Sequence, residues 1–227
     1  MPSCRHWPRE GFSVKEDYDM KILMTAFEPF GKDNMNSSLE VLKRIVPPDG
    51  IDLIRLQVPT VFTLAGETVM QCVEKERPAC VICLGQAAGR SAVTPERVAI
   101  NLRDASIPDN AGRQPTDEPI VSGGPAAIFA TLPIKKMVSA AKAAGLEAAV
   151  SNTAGTFVCN RVMYGLMDCL AREFPSVRGG FLHMPYMEDQ SADHPDDPCL
   201  PRADLTRGII AAIEAIVEQN EEGMIYS

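Results

Sequence analysis

Residues 79–84, ACVICL, form an uninterrupted apolar run in the middle of the chain. The length of this run is that of a strand, and a strand without polar positions is typical of a parallel sheet buried on both faces. Because successive side chains of a strand point to opposite faces, Cys80 and Cys83 are predicted to face away from each other. The Cys-x-x-Cys spacing is therefore not favoured as a zinc or dithiol site.

Apolar segments of similar length recur on both sides of this run, with helical patterns between them. Strands are predicted at 21–25, 51–58, 79–84, 97–102, 148–151 and 180–183, and helices at 62–75, 126–144, 160–173 and 205–219. Alternating strands and helices imply a mostly parallel, open sheet with helices on both faces, which is an α/β fold. Ligands of such sheets bind beyond the carboxyl ends of the strands.

Helix boundary signals add detail to this prediction. Ser37 and Glu40 fit a capping box that opens a further helix, which ends before Pro47. Asp204 is predicted to cap the last helix, and Pro133 is predicted to kink or split the helix at 126–144. Residues 106–125 are rich in proline and glycine and are predicted to form a long functional or mobile loop.

The composition excludes several classes of protein. The 227 residues carry 22 Lys plus Arg against 30 Asp plus Glu, a net charge of -8, which argues against nucleic-acid or anionic-membrane partners. No apolar run is long enough for a membrane span. Seven cysteines cannot all pair, which favours free thiols in a reducing compartment.

The first 19 residues differ from the rest of the chain. They contain no apolar core of a secretory signal, and their acidic residues do not fit a mitochondrial transit peptide. We predict a mobile N-terminal tail at 1–19 and a single α/β domain at 20–227.

Cys159 is the strongest nucleophile candidate. A turn of small residues (residues 151–156, SNTAGT) leads from a predicted strand to this cysteine, which precedes a predicted helix. The unpaired N–H groups at a helix N-terminus favour a thiolate and can hold an oxyanion. The alternative is a cysteine that simply packs in the core, which is our interpretation of Cys72 and Cys169.

His183 and Glu96 complete a candidate constellation at the same sheet edge. His183 ends an apolar strand, where it can act as the base that a cysteine nucleophile needs, or it is a structural histidine. Glu96 follows the loop after residues 79–84 and is the candidate for orienting the imidazole; the alternative is a solvated carboxylate beside Arg97. The GQAAGR loop at 85–90 lacks dinucleotide-binding spacing, and the charged segment 188–197 is interpreted as a solvated loop.

Five segments together resemble the pyroglutamyl peptidase I (pyrrolidone-carboxylate peptidase) family. They are FEPFG at 27–31, TPERVAIN at 94–101, IPDN at 107–110, TAGTFVCN at 153–160 and FLHMPY at 181–186. The resemblance implies a three-layer α/β/α sandwich and a cytoplasmic cysteine peptidase that removes N-terminal pyroglutamate from peptides through a thioester. It also implies no metal or organic cofactor, and a homo-oligomer, either a tetramer or a dimer.

The same resemblance assigns the site residues. Cys159 matches the family's nucleophile, His183 its base and Glu96 its third catalytic residue. The lactam pocket of the family matches Phe27, Phe30, Asn36, Gln86, Phe157 and Val158.

The chain departs from the family before the IPDN segment. Ser106 stands where the family usually has an arginine that is a proposed oxyanion donor, so Ser106, Arg103 or Arg90 substitutes for it, or the rate is reduced. Two alternatives therefore stay open: another cysteine amidase on the same fold, and an inactive oligomeric relative that binds lactams.

Overall fold

The computed structural model describes the backbone of residues 20–225 and side chains up to residue 218. The tail predicted at 1–19 lies outside the described residues. None of the helices within the described range combines the length and apolar character that crossing a bilayer requires.

Strands and helices alternate over residues 20–86, as the apolar pattern predicts, and beyond them three short strands precede two consecutive helices. The strands are β1 (Met20–Phe27), β2 (Ile51–Val58), β3 (Cys80–Gln86), β4 (Thr94–Pro95), β5 (Val98–Ile100), β6 (Ala127–Phe129), β7 (Arg178–Met184), β8 (Tyr186–Met187) and β9 (Cys199–Leu200). The helices are α1 (Ser37–Arg44), α2 (Leu64–Glu76), α3 (Ile134–Ala143), α4 (Val158–Glu173) and α5 (Arg202–Ile225), with a 3-10 turn at Glu188–Gln190.

The central sheet has the strand order β2-β1-β3-β7-β4. Its first four strands are parallel, and the short β4 runs antiparallel to β7 at the edge of the sheet. Because the carboxyl ends of the parallel strands share one edge, the loops that follow β1 and β3 meet the end of β7 there. The mostly parallel sheet predicted from the sequence is confirmed.

Two apolar clusters fill the space on either side of this sheet. One joins the sheet to α1, α3 and α5, and the other joins it to α2 and α4, which makes three layers. Cys80 belongs to the first cluster and Cys83 to the second, so the opposite orientation predicted for this pair is confirmed.

The region between β4 and α3 differs from the prediction. The helix predicted at 126–144 is wrong in its first part, because β6 occupies 127–129 and α3 begins only after Pro133. β6 pairs antiparallel with β5 in a separate two-stranded ribbon, so 97–102 does not join the main sheet. The segment 148–151 makes only isolated parallel bridges, Val93 to Ala148 and Glu96 to Ser151.

Two helix caps also differ from the prediction. The N-cap of α1 is Asn36, whose side chain accepts a hydrogen bond from the Ser38 backbone N–H at 3.0 Å, so the Ser37 capping box is wrong by one residue. Asparagine is among the best N-cap residues, which explains the shift. Asp204 lies inside the first turn of α5, and its backbone N–H bonds to the Pro201 carbonyl.

Candidate active site

His183 and Glu96 form a buried hydrogen-bonded pair at the carboxyl edge of the sheet. His183 lies near the end of β7, and Glu96 directly follows β4, which pairs with β7 through Thr94 and His183. The His183 Nδ1 and Glu96 Oε1 atoms are 2.7 Å apart. Glu96 is 0% exposed and His183 is 4% exposed, so Glu96 is not a solvated surface carboxylate.

Cys159 lies in the first turn of α4, whose N-cap is Phe157. The first hydrogen bond inside this helix joins the Arg161 N–H to the Phe157 carbonyl, so the N–H groups of residues 158–160 have no partner within the helix. Cys159 is partly exposed, whereas Cys72 and Cys169 are buried in the core, as predicted. The helix N-terminus thus presents a cysteine and backbone donors at an accessible position.

Burial and nearby charges act on the protonation of Cys159 and His183. Burial raises the pKa of the Cys159 thiol to about 12, with Glu96 and Cys83 adding to the rise, while Arg90 and the cysteine's own backbone N–H lower it. Burial also lowers the pKa of His183, although Glu96 opposes this through its hydrogen bond and charge. Desolvation therefore favours the neutral forms of both the thiol and the imidazole in the free protein.

Three phenylalanine rings form an aromatic group around Phe157, which lies two residues before Cys159. The Phe157 ring is 6.0 Å from the Phe30 ring and 5.2 Å from the Phe62 ring, which it meets edge-on. Phe30 and Phe157 are partly exposed, whereas Phe62 is fully buried beneath Phe157. Sequence reasoning missed Phe62, which it assigned to a helix face; the helix begins two residues later, at Leu64.

The IPDN segment holds these rings in place. The Asp109 side chain accepts a hydrogen bond from the Phe62 backbone N–H at 2.8 Å. The Asn110 side-chain amide donates to the Pro29 carbonyl and to Glu28 Oε1, both at 2.9 Å, and so holds the loop that carries Phe30. The predicted loop at 106–125 therefore connects both sides of the aromatic group.

The other predicted pocket residues have structural partners of their own. Phe27 is 2% exposed and packs 6.2 Å from the Phe181 ring, and Val158 is fully buried. The Asn36 side chain caps α1. The Gln86 side chain accepts from the Ser37 backbone N–H at 2.8 Å. The Asn36 and Gln86 side chains are therefore both engaged within the protein.

The arginines considered as oxyanion donors are engaged elsewhere. Arg90 forms an ion pair with Glu96 at 2.8 Å, and Arg103 forms one with Glu118 at 3.1 Å. Ser106 is exposed. The backbone N–H groups in the first turn of α4 are thus the best-placed donors for an oxyanion.

The interpretation of 188–197 as a solvated loop is wrong for two of its residues. His194 Nε2 lies 2.7 Å from Asp33 Oδ1, and the His194 ring stacks on Tyr186 at 3.8 Å. The Gln190 side chain is buried and donates to Gln86 Oε1 at 3.0 Å. The His194 contact joins the segment to the loop that follows β1, and the Gln190 contact joins it to the end of β3, a long-range arrangement that charge patterning does not reveal.

Gly85 lies opposite His183 in the β3–β7 pairing and leaves room for two rings. A Cβ atom at this position would lie 2.8 Å from Phe181 Cε1 and 3.0 Å from His183 Cδ2. We expect Gly85→Ala to displace the imidazole and to lower kcat by roughly 10²-fold, with a stability loss of about 1–3 kcal/mol. Steady-state kinetics and thermal unfolding measure the two effects.

Gly180→Ala is the matched control for this substitution. Its Cβ atom would lie 2.8 Å from Leu132 Cδ1, so it overpacks the core without a ring of the site nearby. We expect a similar stability loss with kcat nearly unchanged. Equal kcat values for Gly85→Ala and the unaltered protein would contradict the role given to Gly85.

An α/β sheet whose carboxyl edge carries this cysteine, histidine and carboxylate defines the class of cysteine-dependent hydrolases. The sequence profile of the pyroglutamyl peptidase family matches residues 20–219. The chain belongs to this family, and it is accordingly a cysteine exopeptidase.

Individual relatives agree with this assignment. A pyrrolidone-carboxylate peptidase of Lactobacillus johnsonii is 46% identical over 91% of this chain and 96% of its own length. One from Streptococcus pyogenes is 49% identical over 88% of this chain and 93% of its own length. The crystal structure of pyroglutamyl peptidase I from Bacillus amyloliquefaciens is similar with a TM-score of 0.84 and 46% identity, covering 88% of this chain and 96% of that one. The three-layer α/β/α fold implied by the resemblance is confirmed.

Proposed function

We propose that this protein removes pyroglutamate from the N-terminus of peptides, with Cys159 as nucleophile, His183 as base and Glu96 as the carboxylate that orients the imidazole. The observation that carries the proposal is the buried 2.7 Å hydrogen bond between Glu96 and His183 Nδ1, at the edge where the helix of Cys159 begins. Because Nδ1 is held by the carboxylate, Nε2 is the nitrogen that faces the reaction.

The acylation half of the reaction starts from the neutral pair. His183 Nε2 takes the thiol proton as the Cys159 sulfur bonds to the pyroglutamyl carbonyl carbon, whose oxygen becomes an oxyanion. The N–H groups in the first turn of α4 donate to this oxyanion. The C–N bond then breaks, and the imidazolium gives its proton to the departing amine of the peptide.

Hydrolysis of the thioester completes the cycle. His183 takes a proton from water, and the resulting hydroxide bonds to the thioester carbon. The C–S bond breaks, the sulfur regains a proton from the imidazolium, and free pyroglutamate leaves. Glu96 balances the positive charge of the imidazolium in both halves, since it is fully buried beside it.

Specificity follows from the chemistry of the lactam. Pyroglutamate has neither an N-terminal ammonium nor a side-chain carboxylate, so a ring pocket with a few backbone hydrogen-bond partners suits it. Phe30 and Phe157 supply partly exposed aromatic faces for this ring. An N-terminal glutamine or proline carries an ammonium group whose desolvation in such a pocket is costly.

A comparison of three fluorogenic amides tests the proposed function. We expect fluorophore release from the pyroglutamyl amide to exceed that from the matching prolyl and glutaminyl amides by roughly 10⁴-fold in kcat/KM. Comparable release from the glutaminyl amide would favour another cysteine amidase. No release from any of them would favour an inactive lactam-binding relative.

Two further proposals concern the protein's setting. The cysteines of the described residues are free thiols, which supports a reducing, cytoplasmic compartment. A homo-oligomer, a tetramer or a dimer, stays a prediction from the resemblance.

A further inference from the structure

We infer that Arg90 is a positioning residue for the reaction, joining the Glu96–His183 pair to the loop that leads to Cys159. The inference rests on the proposed function, and it adds a residue that acts through Glu96 and the loop before Cys159. Arg90 lies in the loop between β3 and β4, at the same sheet edge as the pair.

The contacts of the guanidinium reach separate parts of the site. Arg90 Nη1 donates to Glu96 Oε1 at 2.8 Å, the same oxygen that binds His183 Nδ1. Nη1 also bonds to Thr94 Oγ1, and Nη2 donates to the Thr153 carbonyl at 3.2 Å. Thr153 lies in the small-residue turn before Cys159, so one side chain connects the carboxylate to the segment that carries the nucleophile.

The Glu96 carboxylate depends on this contact for its orientation. Glu96 Oε2 is buried and has no hydrogen-bond partner among the described residues, so Oε1 alone carries the contacts of the carboxylate. Without Arg90, the orientation of Glu96 would rest on the His183 ring that it is meant to orient. A planar guanidinium suits this position because its separate N–H groups reach three acceptors at once, which a lysine ammonium on a flexible stem does not reproduce.

The positive charge of Arg90 also acts on both reacting groups. Glu96 and Arg90 are the ionisable groups that act on His183, while Glu96, Cys83 and Arg90 act on Cys159. Arg90 lowers the pKa of His183 and the pKa of Cys159. Loss of the cation would therefore keep the imidazole protonated to higher pH and make the thiol harder to ionise.

The test compares Arg90→Met with Arg90→Lys. We expect Arg90→Met to lower kcat by roughly 10²-fold with KM little changed, and to move the acidic limb of kcat/KM to higher pH. Arg90→Lys keeps the charge, so the acidic limb should stay in place, while kcat recovers only in part because the contact with Thr153 is lost. A structural role alone would lower the rate equally at every pH.

A control and a second readout separate this inference from the proposed function. Arg172 is an exposed arginine paired with Asp168 on α4, and Arg172→Met should leave the pH profile unchanged.

Alkylation of Cys159 by iodoacetamide, followed against pH by mass spectrometry, reports the same groups without any substrate. If Arg90→Met and Arg172→Met have the same pH dependence of alkylation and the same pH dependence of kcat/KM, the role proposed for Arg90 is contradicted. If the unaltered protein fails on the pyroglutamyl amide, the proposed function is wrong, and the alkylation profile still decides the role of Arg90.

Discussion

Replacing Cys159 with alanine is expected to abolish release of the fluorophore from a pyroglutamyl amide, a loss of about 10⁶-fold in kcat. Without the sulfur no thioester forms, and the remaining histidine and backbone donors have nothing to activate. Because Cys159 is partly exposed, the truncation opens little cavity, and unfolding free energy should change by less than about 1 kcal/mol. Single-turnover kinetics and thermal unfolding measure both quantities.

Cys199→Ala is the matched control for this prediction. Cys199 is also partly exposed, but it lies in β9, and its thiol faces the Asp197 carbonyl at 3.6 Å. We expect full activity from this variant. Measurable release of the fluorophore by Cys159→Ala would show that the nucleophile has been assigned wrongly. A loss of kcat in Cys199→Ala comparable to that expected for Cys159→Ala would show the same.

The parallel core was predictable because burial on both faces leaves a distinctive pattern. Every residue of β3 is buried and all but Gln86 are apolar or small, and β1 and β2 place their few polar residues mainly at partly exposed positions. The position of Cys159 was equally predictable, since small residues before an amphipathic segment indicate a helix start. The local sequence therefore predicts the elements whose residue types are determined by burial or by helix periodicity.

The sequence did not reveal features that depend on long-range pairing. The residues of β5 pair with residues of β6 that lie 27 to 31 positions further along the chain, and an alanine-rich segment such as 126–132 carries little strand signal of its own. Asn36 became the cap of α1 in place of Ser37 because the chain enters the helix one residue earlier. The burial of Glu96 follows from the pairing of β4 with β7. A strand of two residues is too short to give a recognisable sequence pattern, so this pairing could not be predicted.

The pocket was the least predictable part of the site. Phe62 and Asp109 are far apart in the chain, and only the hydrogen bond between them shows that the loop at 106–125 supports the aromatic group. The resemblance to the family identified the IPDN segment but did not show that it supports the aromatic group. The same holds for Arg90, which sequence reasoning considered as an oxyanion donor and which instead contacts Glu96.

Glu96→Gln should lower kcat by about 10⁴-fold, as the matching amide does in a Ser-His-Asp triad. If the amide oxygen replaces Oε1, the charge that stabilises the imidazolium is lost. If the amide nitrogen faces His183 instead, Nδ1 must accept a hydrogen bond and the proton moves to Nε2, where it blocks transfer from Cys159. Either arrangement removes the function of the 2.7 Å contact.

The pH dependence of this variant distinguishes a catalytic role from a structural one. Glu96 raises the pKa of His183 through its hydrogen bond and charge, so its removal should move the acidic limb of kcat/KM to lower pH, opposite to Arg90→Met. Glu96 also raises the pKa of Cys159, so alkylation of the thiol should persist or quicken while turnover falls. Glu118→Gln, which removes a partly exposed carboxylate paired with Arg103, is the control and should leave both readouts unchanged. An acidic limb that moves upward in Glu96→Gln would contradict the assignment of Glu96 as the partner of the imidazole.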